Sequence, residues 1–358
     1  MSSATWPSHP QSLARGDLGA ALTLAIEAHA DPAARRKLHH HLNRLGPVVD
    51  GEDAGLFYGA PALAFVLHMA QGAYQNAIKH LDEVNERVTR TRLAAAHRRI
   101  DRGELAAFTE YDVFRGLAGL ALLWLQRGSR PTLLEEILTY LVRLTQPAAD
   151  GQTGWRVWHR RDAFTTFGPH TNNGLAHGIC GPLAVLALAW IKGIKVTGHE
   201  DAIARIMEHL DAVQQTNGVT CWWDRWDTEC RTSPPPLSWC YGTPGIARAQ
   251  QLAGLALDDC GRRSTVEQAI LQQISAPNPA GTGGSTICHG TAGVLRACEH
   301  IAHDAANPDL FRDHIDALRS RLAVLPVPAV PGLIDGSAGV RLATQGKALP
   351  WDACLALV

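Results

Sequence analysis

Cys240 and Cys288 are the residues whose type and spacing most invite chemistry. Each stands two residues before a Gly-x-x-Gly step, at Gly242/Gly245 and Gly290/Gly293, and the second cysteine is followed at once by His289. If the two steps are equivalent starts of neighbouring elements, the cysteines become neighbours in space although 48 residues separate them. Two thiolates and one imidazole suit Zn²⁺ and leave the fourth tetrahedral position open, which marks a catalytic rather than a purely structural site. The competing reading is a buried structural pair, because cysteine is also a common small core residue. Cys180, Cys221, Cys230, Cys260, Cys298 and Cys354 lack the shared register and read as inert thiols.

The residue just before the first glycine of each step extends the pattern. It is Tyr58, Arg115, His177, Tyr241, His289 and Asp335 in turn, polar or amphipathic every time. Equivalent positions would bring these side chains together at one end of a central cavity, beside exposed helix N-termini that favour negative charge. His177 shares the position of His289 and would face the same cavity. Taken alone, it would as readily be a helix cap or a satisfied core histidine.

The elements that must position these groups are written as a repeat. The steps recur at Gly116/Gly119, Gly178/Gly181, Gly242/Gly245, Gly290/Gly293 and Gly336/Gly339, with a degenerate first copy at Gly59 and Ala62. Successive first glycines lie 46 to 64 residues apart, room for two helices and two connections, so each unit is expected to be a helical hairpin. The runs after the steps, such as Pro182 to Trp190, are apolar nearly all round, as buried helices are; the stretches between, such as Leu133 to Leu144, are mixed and suit an outer layer. An all-α architecture follows, with an inner ring of buried helices inside an outer ring: an α/α toroid. An open helical solenoid and an orthogonal bundle share this periodicity. We expect one domain, with a less regular helical arm over residues 1–50 and the toroid over 51–358.

Composition narrows the function classes. A formal net charge of −1 over 358 residues gives no bulk attraction to nucleic acid. The longest apolar stretch, Gly178 to Ile191, is 14 residues, short of the roughly 20 that span a bilayer, so no transmembrane helix is expected. No secretory signal is read at the N-terminus, and eight dispersed cysteines fit a reducing, cytoplasmic compartment better than a disulfide scaffold.

From about residue 50 to the end, the chain resembles the LanC lanthionine cyclase family, stand-alone type. The resemblance rests on Asn173-Gly-Leu-Ala-His177-Gly-Ile-Cys-Gly181, Ser238-Trp-Cys240-Tyr241-Gly-Thr-Pro-Gly245 and Cys288-His289-Gly-Thr-Ala-Gly293. Tyr111-Asp112-Val-Phe-Arg-Gly116, Asp335-Gly-Ser-Ala-Gly339 and Trp351-Asp352 add to it. The resemblance implies one zinc per chain on Cys240, Cys288 and His289. It also implies Michael-type addition of peptide cysteine thiols to dehydroalanine or dehydrobutyrine, giving lanthionine or methyllanthionine rings. His177 matches the family's acid, Asp112 a carboxylate that orients or charges a neighbouring acid, and Tyr241 a tyrosine beside the metal. Without the resemblance, Asp112 reads as a helix-start residue and Tyr241 as packing. The implied partners are a dehydrated precursor peptide, a separate dehydratase and a transporter, with peripheral membrane association through such a complex. The rivals are a thiol transferase adding glutathione to dehydrated residues and a catalytically idle, peptide-binding toroid.

One departure stands out. Some family members carry an arginine four residues before the first zinc cysteine, and here that position is Pro236. Arg115, in the polar ring, is the substitute this reading offers. Two further features allow a grip on peptide: a basic stretch from Arg87 to Arg102 for an acidic leader, and Trp222, Trp223 and Trp226 along its path. A solvated helix face and ordinary loop packing are the plainer readings of each.

Overall fold

The computed structural model describes residues 9–158, 168–275, 283–345 and 350–358. Helices come in consecutive pairs: α1 (Asp17–Glu27) with α2 (Pro32–Leu42), and α3 (Gly59–Met69) with the long α4 (Gln75–Asp101). A single turn, α5 (Phe108–Tyr111), leads to α6 (Leu117–Arg127) and α7 (Pro131–Leu144), then α8 (Cys180–Ile191) and α9 (His199–Ala212). A short antiparallel hairpin, β1 (Gln214–Thr216) and β2 (Cys221–Trp223), pairs Gln214 with Trp223 and precedes α10 (Thr243–Ala256) and α11 (Cys260–Ile274). The last pair is α12 (Thr291–Asp304) and α13 (Arg312–Val324), followed by α14 (Ser337–Gln345).

The first helix of each pair packs on the first helix of the next, and α14 packs back on α1. Among the described residues this closure makes the inner layer a ring of seven helices, an α/α toroid rather than an open solenoid. The inner helices are buried over most of their surface because each faces a neighbour on both sides, an outer helix behind and the ring's axis in front. In α8 every residue from Cys180 to Ala189 is buried. The outer helices need only one apolar stripe: α7 buries Leu134, Ile137, Leu138 and Leu141, spaced three or four apart, and turns its other flank to solvent. No helix among the described residues is long and apolar enough to cross a membrane.

The ring holds one step more than the repeat reading found. Gly16 and Gly19 precede and open α1, inside the stretch set apart above as an arm, and Arg15 takes the polar position. The second glycine of a step lets the helix start press against its own incoming loop. At Gly339 a Cβ would lie 1.9 Å from the carbonyl oxygen of Leu333, and at Gly293 the same distance from that of Ile287. Gly339→Ala is therefore expected to cost about 3 kcal/mol, read as a lower urea midpoint, because backbone rather than a flexible side chain must move.

The chain's closing turn fills the ring's interior. Trp351–Leu355 packs on α6, while Trp239 Nε1 donates to the Leu355 carbonyl at 3.0 Å and Arg248 Nε of α10 to that of Leu357 at 2.9 Å. Asp352 accepts from Arg296 Nε of α12 at 2.8 Å and lies 2.8 Å from His300 Nε2. A segment held by α6, α10 and α12 together sits across the axis, which explains Trp351-Asp352 as a landmark of packing.

Candidate metal centre and the cavity beside it

The loops entering the inner helices lie side by side and are laced by backbone hydrogen bonds. Leu13 N–H donates to Phe57 O, Phe57 to Phe114, Val113 to Ala176, Ala176 to Cys240, Ile287 to Ile334 and Leu333 to Leu13. Among the described residues, the one junction without such a bond is that between the Cys240 loop and the Cys288 loop. Side chains meet there instead. Cys240 Sγ lies 3.3 Å from His289 Nε2, and one ligand atom from each of Cys240, Cys288 and His289 falls within 4.8 Å of the others.

The electrostatics of this group suit a cation. Burial alone pushes the Cys240 thiol up, but hydrogen bonds from the Cys288 thiol and the His289 ring, with the His289 charge, outweigh it and hold Cys240 below the usual thiol range. Cys288 is driven well above that range by its hydrogen bond to Cys240, then by burial and the Cys240 charge. The hydrogen bond to Cys240 raises His289, against its burial. A metal ion bound here would take the place of the protons these groups share and release them. None of the eight cysteines is in a disulfide. Burial raises the thiols of Cys180, Cys298 and Cys354, which fits their reading as inert.

On the loop next to that of Cys240, His177 Nδ1 lies 2.6 Å from Asp112 Oδ2. Asp112 uses both oxygens: Oδ1 accepts the N–H groups of Arg115 at 2.7 Å and Gly116 at 2.8 Å, tying the turn that leads into α6, while Oδ2 holds the histidine. The carboxylate is 2% exposed and the imidazole 26%, so the anchor is dry and the ring it orients reaches solvent. Phe114 stacks on that ring with centroids 4.7 Å apart. Tyr241 lies between the two groups, its ring 6.0 Å from His177 and 6.4 Å from His289. Burial pushes its phenol up, opposed by Arg225, so Tyr241 stays protonated at neutral pH and able to donate. A cavity of about 370 Å³ opens beside Tyr241 and His289, walled also by Arg225, Pro236 and Ser238.

The chain matches the family described as lanthionine synthetase C-like protein over residues 7–325. The chain belongs to that family. A curated relative, "Nisin biosynthesis protein NisC" of Lactococcus lactis subsp. lactis, is 24% identical over 262 residues, 68% of this chain and 61% of the relative. The chain therefore spans about three fifths of that relative's length. A solved structure, "Nisin cyclase", superposes with a TM-score of 0.81 at 20% identity, covering 98% of this chain and 93% of that one, and shares the toroid.

In this member of the lanthionine synthetase C-like family, the features outside the repeat register fall differently. Half of the six arginines in the basic stretch along α4 are paired with carboxylates: Arg90 with Glu86 and Glu136, Arg99 with Glu110, and Arg102 with Glu104. Trp222, Trp223 and Trp226 are buried, and Trp223 Nε1 donates to the Leu210 carbonyl at 2.9 Å, so they pack the hairpin and its exit loop instead of lining an open path. Arg115 is engaged by Asp53 at 3.0 Å and lines another cavity, with Glu52, Arg92 and Glu110. Sequence reasoning missed Arg225, which lies outside the register. Its place between Trp223 and Trp226 was the available signal.

Proposed function

We propose that this chain is a zinc-dependent lanthipeptide cyclase, adding cysteine thiols of a dehydrated precursor peptide to dehydroalanine or dehydrobutyrine. The observation that carries the reading is the placement of a Cys240, Cys288 and His289 group and an Asp112-oriented His177 on neighbouring loops of one ring end, with Tyr241 between them. Family membership and the nisin-related names of its relatives support the same reaction class. The donor set fits zinc, since two sulfurs and a nitrogen converge and leave a position for a further ligand. Held by these three residues, zinc would act as a Lewis acid that lowers the pKa of an entering thiol.

The remaining work falls to the chain's own side chains. His177, with Nδ1 on Asp112, keeps Nε2 to carry a proton toward the acceptor's α-carbon, and Asp112 stabilises the charged ring that holds it. Tyr241 offers a protonated phenol. The substrate is expected to come from a separate dehydratase, in the cytoplasm, with a transporter taking the product and any membrane association arising through that complex.

The reaction is an isomerisation, so the test follows thiols. Zinc-loaded protein given a dehydrated peptide is expected to remove its alkylatable cysteine at unchanged peptide mass. It should do so even when glutathione is present in excess. A product heavier by one glutathione would instead show a thiol transferase, and untouched peptide with full zinc an idle toroid.

A further inference from the structure

The addition places negative charge on the acceptor's carbonyl oxygen, and none of the groups assigned so far receives it. Resting on the cyclase reading above, we propose that Arg225 is the residue that binds this charge. The electron pair of the peptide thiolate forms the C–S bond at the β-carbon, and the Cα–Cβ π pair moves to the carbonyl oxygen as an enolate. The α-carbon then takes a proton as the carbonyl re-forms. The proton lost by the thiol balances the one gained, and no oxidant or reductant enters. A pair of N–H groups on the enolate oxygen would lower the barrier of the first step, where the charge appears.

Arg225 lies where such a group is needed. Its guanidinium carbon sits 3.8 Å from the ring centroid of Tyr241 and 4.5 Å from that of Trp226, and it walls the cavity that Tyr241 and His289 also line. The two stacked rings fix the plane of the guanidinium. Its Nε and Nη2 are buried and have no hydrogen-bond partner among the described residues. A buried charged donor left unpaired costs more than a neutral one, so two of them on one side chain beside an active cavity point to an oxygen that none of the described residues supplies.

The backbone holds the residue in place. The Arg225 carbonyl accepts the N–H of Asn173 at 2.9 Å, Asn173 Nδ2 donates to the Asp224 carbonyl at 2.9 Å, and Thr171 N–H donates to Asp227 Oδ1 at 2.9 Å. Arg225 is thereby pinned to the segment that runs into His177. Pro236, where some relatives carry an arginine, walls the same cavity, so Arg225 brings a guanidinium to that space from a different loop.

The test compares wild type, Arg225→Gln and Arg225→Ala on one dehydrated peptide. Arg225→Gln is expected to keep its zinc and its peptide KM, while kcat for thiol loss falls about 100-fold. Added guanidinium chloride should restore part of the rate to Arg225→Ala. A Gln variant as fast as wild type overturns the proposal. So does a loss of rate that guanidinium does not relieve, or one that tracks lost zinc, since either would mean that Arg225 only holds the site together. A wild type that leaves the thiol untouched removes the cyclase reading and this assignment with it, whereas an active wild type beside an unimpaired Gln variant removes the assignment alone.

Discussion

Cys288→Ala is expected to lose metal affinity by more than about 100-fold, since even outer partners of metal ligands are typically worth 10- to 100-fold. Turnover should fall to the uncatalysed background. Cys240→Ala should do the same, with one further signature. His289 is raised chiefly by its hydrogen bond to Cys240 and lowered by burial, so its imidazole pKa should drop in the Cys240 variant, visible by NMR of the metal-free protein. Cys260, an exposed thiol on an outer helix, is the control: Cys260→Ala should bind and turn over as the wild type does. Metal analysis decides the matter, and equal zinc in wild type and both site variants would sink the ligand assignment.

The second large effect belongs to the His177 and Asp112 pair. His177→Ala is expected to keep full zinc while kcat for thiol loss falls by roughly 10² to 10⁴, the usual range for a positioned acid or base. Asp112→Asn separates the two jobs of the carboxylate. The amide oxygen can still accept from Arg115 N–H and Gly116 N–H, so stability should change by less than about 1 kcal/mol, the typical net worth of a hydrogen bond. The amide nitrogen, however, would offer His177 Nδ1 a donor in place of an acceptor and disfavour the charged ring. Activity should fall nearly as far as in His177→Ala, with little change in melting. If Asp112→Asn unfolds the protein while an unmelted fraction keeps its rate, Asp112 only holds the turn before α6.

Much of this was legible in the sequence because the repeat writes geometry into spacing. Once Gly242 and Gly290 are equivalent, Cys240 and Cys288 must be neighbours, and the structure brings their ligand atoms together with that of His289. The same register places His177 one loop from Tyr241. The seventh step escaped notice because Asp17 sits between its glycines, where the other full steps carry an apolar or hydroxyl residue, and Thr23 interrupts the apolar run behind it. Arg225 was invisible for a different reason: hydrogen bonds to residues 171–173 fix its position, and no local pattern encodes such bonds. The arginines of α4 fit their plainer reading as a solvated face, and what the sequence hides is Glu110 and Glu136, which pair with two of them from elsewhere.

The contact between α1 and α14 bears on how the protein is made. In a growing chain α1 is the first of the ring's helices to be synthesised and α14 the last, so the flank that α1 will press against α14 stays uncovered while all the others emerge. Joining segments roughly three hundred residues apart carries a loop-closure cost that no local contact repays in advance, which makes this the slow step expected of a high-contact-order fold. Until it occurs, Leu333 N–H cannot donate to the Leu13 carbonyl, and the partly built barrel has two sticky edges. A ring with no free side when finished is, during its assembly, a strip with two.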